Sequence, residues 1–254
     1  LHGLVTRDKY LRTSATAKGY FYTLVGDPRA VGEKLVNRPL ARTFRAIAQN
    51  GTGVFYEGWV AQDIVAAIRE APDNPGTLSL ADLAAYKAKE RRALCRPYRR
   101  WQICGMPPPS SGGITLLQSL GILESFNLAS LDPATTETVH LLAEATRLAF
   151  ADRNAYLADP DFISVPQQEL LDSGYLSERA SLISPHKRIK RVFPGTPDHL
   201  QQLNLMPGET FGYPSTTHIS VIDGEGNAVA MTSSIENTFG SRLMVHGFLL
   251  NNQL

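Results

Sequence analysis

The sequence predicts an α+β fold, in which helices occupy most of the chain and strands are concentrated at its end. Apolar residues recur at helical spacing in several segments before residue 160, whereas apolar and polar residues alternate from Thr216 onward. A regular βαβ array is disfavoured because helices and strands do not alternate. Gly51-Thr52-Gly53 is interpreted as a turn and not as a nucleotide site, since it lacks a third glycine and a preceding strand.

Bulk composition is that of a globular protein. The 254 residues can bury a substantial core, and 43% hydrophobic and 19% charged residues are ordinary globular values. A net charge of +1 gives no reason to expect nucleic acid or an anionic membrane as partner. No stretch approaches the ~20 apolar residues of a membrane span. Because the chain starts with Leu1 and stops after the apolar run 248–250, we expect it to be part of a longer protein.

Two apolar stripes at helical spacing predict helices in the first part of the chain. They are formed by Leu40, Phe44 and Ile47, and by Val60, Ile64 and Ile68. Asn50-Gly51 is a natural C-terminal stop for the first helix, and Pro72 closes the second. Ser79 is expected to cap a third, short helix that runs to Tyr86.

The middle of the chain begins with a predicted hairpin over residues 94–106, which turns at Arg99-Arg100. This register brings Cys95 and Cys104 opposite one another, which leaves a disulfide and two unpaired core thiols as alternatives. Neither cysteine lies beside a histidine or a second cysteine pair, so a metal or nucleophile role is poorly supported.

Helices are predicted again after this hairpin. Three prolines at 107–109 form a stiff extended segment, because each ring removes a backbone donor. Ser110 or Ser111 then offers an N-cap for a helix with one apolar face. The longest predicted helix is Thr136–Tyr156, and residues 163–210 are expected to form short helices and loops.

A second hairpin is predicted at the end of the chain. Residues 216–223 alternate as a strand with Ile219 and Val221 on one face, and the turn Gly224-Glu225-Gly226-Asn227 follows. A second strand-like run covers residues 228–235. A short Gly/Asn turn between two such runs is typical of a β-hairpin.

Two motifs carry a family resemblance. The hairpin opens with Ser215-Thr216-Thr217-His218, and residues 106–114 read Met-Pro-Pro-Pro-Ser-Ser-Gly-Gly-Ile. Together these motifs resemble the γ-glutamyltranspeptidase family. The resemblance runs from about Pro39 to the last residue in the family's order. Further matching segments are residues 39–48, 151–153, 156–162, 238–241 and 250–253.

The resemblance implies the four-layer αββα sandwich of N-terminal nucleophile hydrolases, of which this chain is a part. It also implies a precursor that cuts its own peptide bond between Ser215 and Thr216. Residues 1–215 are then a large-subunit-like segment, and residues 216–254 start a small-subunit-like segment of the same composite domain. The two subunits are expected to stay associated. By the same resemblance, the arginine that binds the substrate α-carboxylate precedes this segment, and the oxyanion-hole residues follow it.

An internal threonine hydroxyl is a weak nucleophile, because no base is at hand to take its proton. Cleavage before Thr216 gives this residue a free α-amine, whose pKa of ~7.7–8.0 suits it to act as that base. The resemblance therefore implies an acyl ester on Thr216, formed from glutathione or another γ-glutamyl amide. Water, or the amine of an acceptor amino acid or dipeptide, then releases the γ-glutamyl group. No cofactor and no metal is expected.

Three further site residues follow from the resemblance. Ser234 lies eighteen residues after Thr216, where the family has a threonine that orients the nucleophile, and serine keeps a donor and an acceptor. Glu236 replaces an asparagine that helps bind the α-amino acid end of the substrate. Its carboxylate attracts an ammonium and repels a carboxylate. Gln253 matches a residue that contacts the α-amino group, and Arg242 stands where the family often has a small residue.

Other candidates are interpreted structurally. The serine and glycine pairs of the Pro-Pro-Pro block are expected to form a rigid turn and helix cap, and not an oxyanion hole. His218 is expected to pack or cap, and Asp152 to form an ion pair with Arg153 at a helix end. Asp159 and Asp161 alone are too few ligands for a cation site.

Two other functions stay open. An acylase for glutaryl-type amides, such as glutaryl-cephalosporins, belongs to the same superfamily. Glu236 and Ser234, which differ from the residues usual in the family, leave this alternative open. A non-catalytic binding or scaffold protein of the same fold is the other, although the Thr216 hydroxyl whose loss would signal it is present. Because bacterial relatives are usually periplasmic or secreted, the resemblance implies a periplasmic or secreted protein.

Overall fold

The structure, a computed structural model, describes residues 1–197 and 216–252. These residues fall into two units. The first unit comprises Leu1–Ala88 with residues 216–252, and the second unit comprises residues 89–197. Helices and strands are both present, which confirms the mixed helix and strand content predicted from the sequence.

The helices of the described residues are α1 (His2–Arg7), α2 (Ala15–Phe21), α3 (Arg38–Asn50), α4 (Gly53–Tyr56), α5 (Trp59–Arg69), α6 (Leu80–Ala85), α7 (Gly112–Leu123), α8 (Thr136–Tyr156), α9 (Gln167–Leu170) and α10 (Ser173–Ser181). The strands are β1 (Leu94–Tyr98), β2 (Trp101–Gly105), β3 (Thr216–Ile222), β4 (Ala228–Ser234), β5 (Met244–Val245) and β6 (Phe248–Leu249), which pair as three antiparallel hairpins. Within the described ranges, none of these helices has the length and apolar character that a membrane crossing needs.

Helix α3 confirms the first predicted helix. It begins after Asn37, whose side chain accepts the Leu40 amide at 3.0 Å, and it ends at Gly51, where φ is 78°. Its apolar stripe is less buried than the spacing suggests, because Phe44 is 62% exposed and the buried position of the helix is Thr43.

Helices α5 and α6 also follow the sequence prediction. Val60 and Ile64 of α5 are buried. The Ser79 hydroxyl accepts the Asp82 amide at 3.3 Å, and the Asp82 carboxylate accepts the Ser79 amide at 2.9 Å. This reciprocal capping box satisfies two backbone donors and fixes the start of α6.

Two apolar clusters hold the segment after β4 against the helices of the first unit. One consists of Val5, Leu11, Ala17, Phe21, Tyr22, Phe239 and Met244. The other consists of Val60, Ile64, Val245 and Leu250. Burial of each large apolar side chain contributes about 1.5–3 kcal/mol. Residues 239–250 are therefore fixed by packing.

The second unit combines a hairpin with a helical core. Strands β1 and β2 pair with Cys95 opposite Cys104, and the two sulfurs form a disulfide. Both cysteines are exposed, so the alternative of unpaired core thiols is wrong. The core lies between α7, α8 and α10 and is formed by Ile122, Leu123, Leu141, Ala145, Leu148, Leu176, Ala180 and Ile183.

Strands β3 and β4 form the predicted C-terminal hairpin. They pair in a register that runs from Thr216 opposite Ser234 to Ile222 opposite Ala228. Every residue of both strands is exposed. Because side chains alternate between faces, one face carries mostly polar groups and the other carries the exposed apolar residues Ile219, Val221, Val229 and Met231.

Candidate functional site

The predicted nucleophile is the first residue of β3. Thr216 lies opposite Ser234, the last residue of β4. The Thr216 Oγ1 donates a hydrogen bond to the Ser234 Oγ at 3.2 Å, and both residues are exposed. The hairpin therefore brings together two hydroxyls that are eighteen residues apart in the sequence.

The segment after β4 turns back toward this pair. The Glu236 amide donates to the Ser234 Oγ at 3.0 Å, so the Ser234 oxygen accepts two hydrogen bonds. Glu236 has a φ of 68°, a left-handed conformation that is uncommon for residues other than glycine. Such conformations cost of order 1–3 kcal/mol, persist only where surrounding contacts hold them, and are concentrated at functional sites.

Asn252 supplies such contacts. Its Nδ2 donates to the Glu236 carboxylate, and its Oδ1 accepts the Asn237 amide at 3.0 Å. One side-chain amide makes both bonds, and a flipped amide would lose both of them, so its orientation is determined. A chain of hydrogen bonds thus runs from Thr216 through Ser234 and Glu236 to Asn252.

A glycine turn brings the loop after β4 against the segment that carries Asn252. The Ser241 amide donates to the Leu250 carbonyl oxygen at 2.9 Å. Gly240 has a φ of 51°, and a Cβ at this position would overlap the same oxygen. Only glycine combines this conformation with so close an approach. The distance between the loop and residue 250 is therefore set by backbone contact.

Arg242 anchors the far end of this loop. Its Nε lies 3.0 Å from both carboxylate oxygens of Asp8, and its Nη2 lies 2.9 Å from one of them. The Asp8 carboxylate also accepts the amides of Tyr10 and Leu11. Burial raises the pKa of Asp8, but the hydrogen bonds from Arg242 and the two amides outweigh it and bring the pKa below its usual value.

His218 lies on the same face of the hairpin as Thr216. Its Nδ1 is 2.8 Å from the Thr232 hydroxyl, and its Nε2 is 3.1 Å from the Ser220 hydroxyl. Both ring nitrogens are thus engaged by hydroxyls of β3 and β4. This arrangement braces the hairpin, and the packing or capping role expected for His218 stays a prediction.

Two predicted site residues, Ser215 and Gln253, lie outside the described residues. Of the other predicted site residues, the structure brings Thr216, Ser234 and Glu236 together on one hairpin and the turn that follows it. Their chemical roles stay predictions at this point.

The prediction that Asp152 pairs with Arg153 at a helix end is wrong. Asp152 is fully buried and pairs with Arg179 of α10 at 3.0 Å. The same carboxylate accepts three further hydrogen bonds, from the Tyr175 hydroxyl at 2.8 Å, Gln118 Nε2 at 3.1 Å and the Gly195 amide at 2.8 Å. Adjacent residues of a helix do not face each other, which explains why the two neighbours have different partners.

The surroundings of Asp152 favour a neutral phenol at Tyr175. Burial, and after it the negative charge of Asp152, raises the pKa of Tyr175. The hydroxyl therefore stays protonated and donates a hydrogen bond to Asp152. The Arg179 Nη2 also donates to the carbonyls of Leu148 and Phe193. This buried network joins α7, α8, α10 and residues 193–195, and its role is structural.

The Pro-Pro-Pro-Ser-Ser-Gly-Gly block forms a packed turn before α7. Ser111 occupies the N-cap position, but its hydroxyl does not cap the helix and instead accepts the Arg153 Nε at 3.0 Å. A Cβ on Gly113 would overlap the Met106 carbonyl oxygen. The glycine is therefore required for close packing of the helix start on the end of β2. The predicted turn is present, but the predicted helix cap is wrong for Ser111, whose hydroxyl binds Arg153 instead of a backbone amide of α7.

The acidic pair after α8 binds basic side chains. Asp161 accepts from Lys89 and from Arg91, the latter at 2.8 Å, and Asp159 lies 3.6 Å from Arg91. Across residues 1–197 and 216–252, the structure contains no group of three or more His, Cys, Asp or Glu side chains that could hold a metal ion.

Sequence reasoning missed two residues that organise these regions. Asn252 entered only as part of the matching segment 250–253, and no spacing rule links it to Glu236 sixteen positions earlier. Arg179 lies in a segment for which only short helices and loops were predicted. A basic residue on a helix that is otherwise apolar on one face was the available signal for a buried acidic partner.

Comparison with known proteins gives consistent relatives over nearly the whole chain. The profile of the family described as Gamma-glutamyltranspeptidase matches residues 3–254. The glutathione hydrolase proenzyme of Escherichia coli (strain K12) is 40% identical over 233 residues, which are 90% of this chain and 38% of that protein. The acylase ACY 1 proenzyme of Pseudomonas sp. (strain SE83) is 36% identical over 234 residues, with the same two coverages of 90% and 38%.

A solved structure agrees with these sequence relatives. The crystal structure of Helicobacter pylori γ-glutamyltranspeptidase matches with a TM-score of 0.71 and 32% identity, over 79% of this chain and 56% of that one. The present chain thus spans 38% of the length of the two curated relatives, less than half of each.

Proposed function

This chain belongs to the γ-glutamyltranspeptidase family, and we propose that its protein hydrolyses and transfers γ-glutamyl amides, glutathione among them. The observation that carries the proposal is the hydrogen bond from Thr216 Oγ1 to Ser234 Oγ at 3.2 Å. This bond orients the exposed Thr216 hydroxyl at the start of β3. Cleavage of the chain before Thr216 would add a free α-amine to the same residue. The name of the Escherichia coli relative, glutathione hydrolase proenzyme, supports both the substrate and a processed precursor.

Maturation is the first proposed step. The Thr216 hydroxyl attacks the carbonyl carbon of Ser215, and the peptide nitrogen leaves as the α-amine of Thr216, so an ester joins the two residues. Water hydrolyses this ester and leaves a carboxylate on Ser215. Residues 1–215 then belong to the larger piece and residues 216–254 start the smaller one. The two pieces stay associated in one four-layer αββα sandwich.

Catalysis uses the amine that maturation releases. As the Thr216 oxygen attacks the γ-carbonyl of the substrate, the amine takes the hydroxyl proton and then gives it to the leaving amine. Water, or the amine of an acceptor amino acid or dipeptide, attacks the resulting ester with the same amine as base. The γ-glutamyl group leaves, and the Thr216 hydroxyl is restored.

Ser234 is proposed to support both states of the nucleophile. A serine hydroxyl is one donor and two acceptors, so it can accept from the Thr216 hydroxyl in the resting state. It can also turn its own hydrogen toward the Thr216 oxygen once the amine has taken the proton. This reversal needs no movement of the backbone of β4.

Glu236 and Gln253 are proposed to bind the α-amino acid end of the substrate. The carboxylate of Glu236 attracts the α-ammonium and repels the α-carboxylate, which therefore has to lie away from it. A family member with an asparagine here lacks this charge. Glu236 is accordingly the residue with which we explain a preference for acyl groups that carry an α-ammonium.

A second function, hydrolysis of glutaryl-type amides such as glutaryl-cephalosporins, is supported by the relative named acylase ACY 1. A glutaryl group has the same chain length but no α-ammonium. Glu236 would then have no cationic partner in the substrate, which makes this function second in order.

We also propose that the protein is exported to the periplasm or secreted. The exposed disulfide between Cys95 and Cys104 fits this proposal, because disulfides persist mainly in oxidising compartments.

The test compares γ-glutamyl-p-nitroanilide with glutaryl-p-nitroanilide on the full-length protein. We expect faster turnover of the γ-glutamyl amide, and we expect Ser234→Ala to lower kcat by about 10²-fold, the size of a typical loss of one transition-state hydrogen bond. Ser233→Ala is the matched control, because Ser233 is exposed on the opposite face of β4, and its effect should stay within about twofold. Faster glutaryl turnover, or equal losses in the two serine variants, would contradict the proposal.

A further inference from the structure

We infer that Asn252 is a positioning residue that holds the Glu236 carboxylate in place for the ammonium group of the substrate. This inference rests on the proposed function and adds a residue that acts only through Glu236. It starts from the two bonds of one side chain, Nδ2 to the Glu236 carboxylate and Oδ1 from the Asn237 amide at 3.0 Å.

Glu236 needs external support to hold one direction. Its side chain has three rotatable bonds and is only partly buried, and its backbone adopts a left-handed φ of 68°. The hydrogen bond from the Glu236 amide to Ser234 fixes the backbone before Glu236. Asn252 binds both the Asn237 amide, which follows Glu236, and the Glu236 carboxylate. Asn252 thus couples the direction of the carboxylate to the turn that carries it.

Asn252 is itself placed by packing. It follows Leu250, which is buried and whose carbonyl oxygen accepts the Ser241 amide at 2.9 Å. The loop after β4 and the segment with Asn252 are therefore in fixed register before any side chain of the site is considered. A substrate meets a carboxylate whose position is set in advance, which lowers the ordering cost of binding.

The choice of an amide at position 252 suits recognition of a cation. A lysine or arginine would support the carboxylate equally well but would compete for its charge. An asparagine donates a hydrogen bond and adds no charge, so the carboxylate keeps its attraction for an ammonium. A carboxylate can accept about four hydrogen bonds, so the bond from Asn252 does not exhaust its capacity.

The experiment is a double-mutant cycle in the full-length protein with Asn252→Ala, Glu236→Gln and the two combined. For each, kcat and KM are measured with γ-glutamyl-p-nitroanilide and with glutaryl-p-nitroanilide, which lacks the α-ammonium. We expect Asn252→Ala to raise the KM of the γ-glutamyl amide about tenfold, with kcat and the glutaryl reaction changed less than about threefold. In the Glu236→Gln background, Asn252→Ala should cause little further loss, because the charge it positions is already gone.

A purely structural role predicts a different pattern, namely equal losses on both amides and additive effects in the cycle. That result would overturn this inference and leave the proposed function intact. If Asn252→Ala is not processed, Asn252→Ser is measured instead, because serine keeps a short polar side chain and adds no charge, and the same selective rise in KM is expected. A wild-type protein that acts on neither amide would instead contradict the proposed function itself.

Discussion

Polar side chains have opposite surroundings in two regions of the molecule, the buried network around Asp152 and the exposed pair of Thr216 and Ser234. Asp152 is fully buried, and its carboxylate has four donors from within the second unit. Thr216 and Ser234 are exposed and share a single hydroxyl contact. A buried charge must be satisfied by the fold, whereas a reacting group must stay accessible to its substrate. The difference separates a structural site from the site at which we propose the chemistry, although both lie in segments that match the same family.

The packing of the two regions differs in the same sense. Leu148 of α8 is 1% exposed, whereas Val221 of β3 is 54% exposed and Val229 of β4 is 62% exposed. A contiguous exposed apolar face is typical of a surface that another element covers. Because the chain spans 38% of the length of its curated relatives, we expect other parts of the longer protein to cover this face.

The largest expected contrast is in hydrogen exchange of this 254-residue chain. We expect amides in the middle of α8 to exchange at least about 100-fold more slowly than those of β3, because local opening is easiest where few buried contacts oppose it. Exchange followed by mass spectrometry measures both regions at once. The β1–β2 hairpin is the internal control. It is also two-stranded but carries a disulfide, so its exchange shows how a cross-linked hairpin of the same chain behaves. Equal protection of α8 and β3 would remove the basis of the comparison.

The next prediction concerns the buried charge. Asp152→Ala leaves Arg179 buried without its carboxylate, and we expect a loss of about 3–5 kcal/mol in the unfolding free energy of the second unit. Urea unfolding can be followed by Trp101 fluorescence in a Trp59→Phe background, because Trp101 lies in the second unit.

Glu178→Gln is the matched control for this measurement. Glu178 is exposed on α10, next to Arg179 in the sequence, so its effect should stay within about 0.5 kcal/mol. A loss below 1 kcal/mol for the Asp152 variant would show that the network does not support the fold of the second unit.

The smallest expected effect is at Arg242, which lies between the two extremes of exposure. The folded-state pKa of Asp8 is below its ordinary value of 3.8. The ion pair of Asp8 with Arg242 therefore adds stability at a pH above 3.8, and this stability is lost as the pH falls through the folded-state pKa. Arg242→Ala should therefore lower the unfolding free energy of the first unit by about 1 kcal/mol at pH 7, which is the size expected for a partly exposed ion pair. Below pH 3.8 the loss should become progressively smaller.

Trp59 fluorescence in a Trp101→Phe background reports on the first unit and can follow this loss from pH 7 to pH 3. Arg45→Ala, at an exposed position of α3, is the control and should show little effect at either pH. A loss at Arg242 that does not change with pH would mean that packing, and not the ion pair with Asp8, anchors the loop.

Local features of these regions could be predicted from the sequence, and partners between distant segments could not. Alternation and a Gly/Asn turn predicted the hairpin of β3 and β4, whereas the relation of Thr216 to Ser234 was expected from the family resemblance. The register of β1 and β2 likewise placed Cys95 opposite Cys104.

The failures have a common physical cause. Arg179 lies 27 residues from Asp152 and reaches it only because α8 and α10 both pack against α7. Asn252 reaches Glu236 only because Gly240 lets the loop approach Leu250 closely. Periodicity reports which face of an element is apolar, but it does not report which elements share that face.

The central claim is that Thr216 becomes a nucleophile by acquiring its own α-amine, and intact mass combined with turnover tests it most directly. We expect the purified full-length protein to consist of two pieces, one of which begins with Thr216. Thr216→Ala should remain a single chain and should turn over γ-glutamyl-p-nitroanilide at less than about 1% of the wild-type rate, since both nucleophile and base are lost. An uncut Thr216→Ala protein with wild-type turnover would contradict the account.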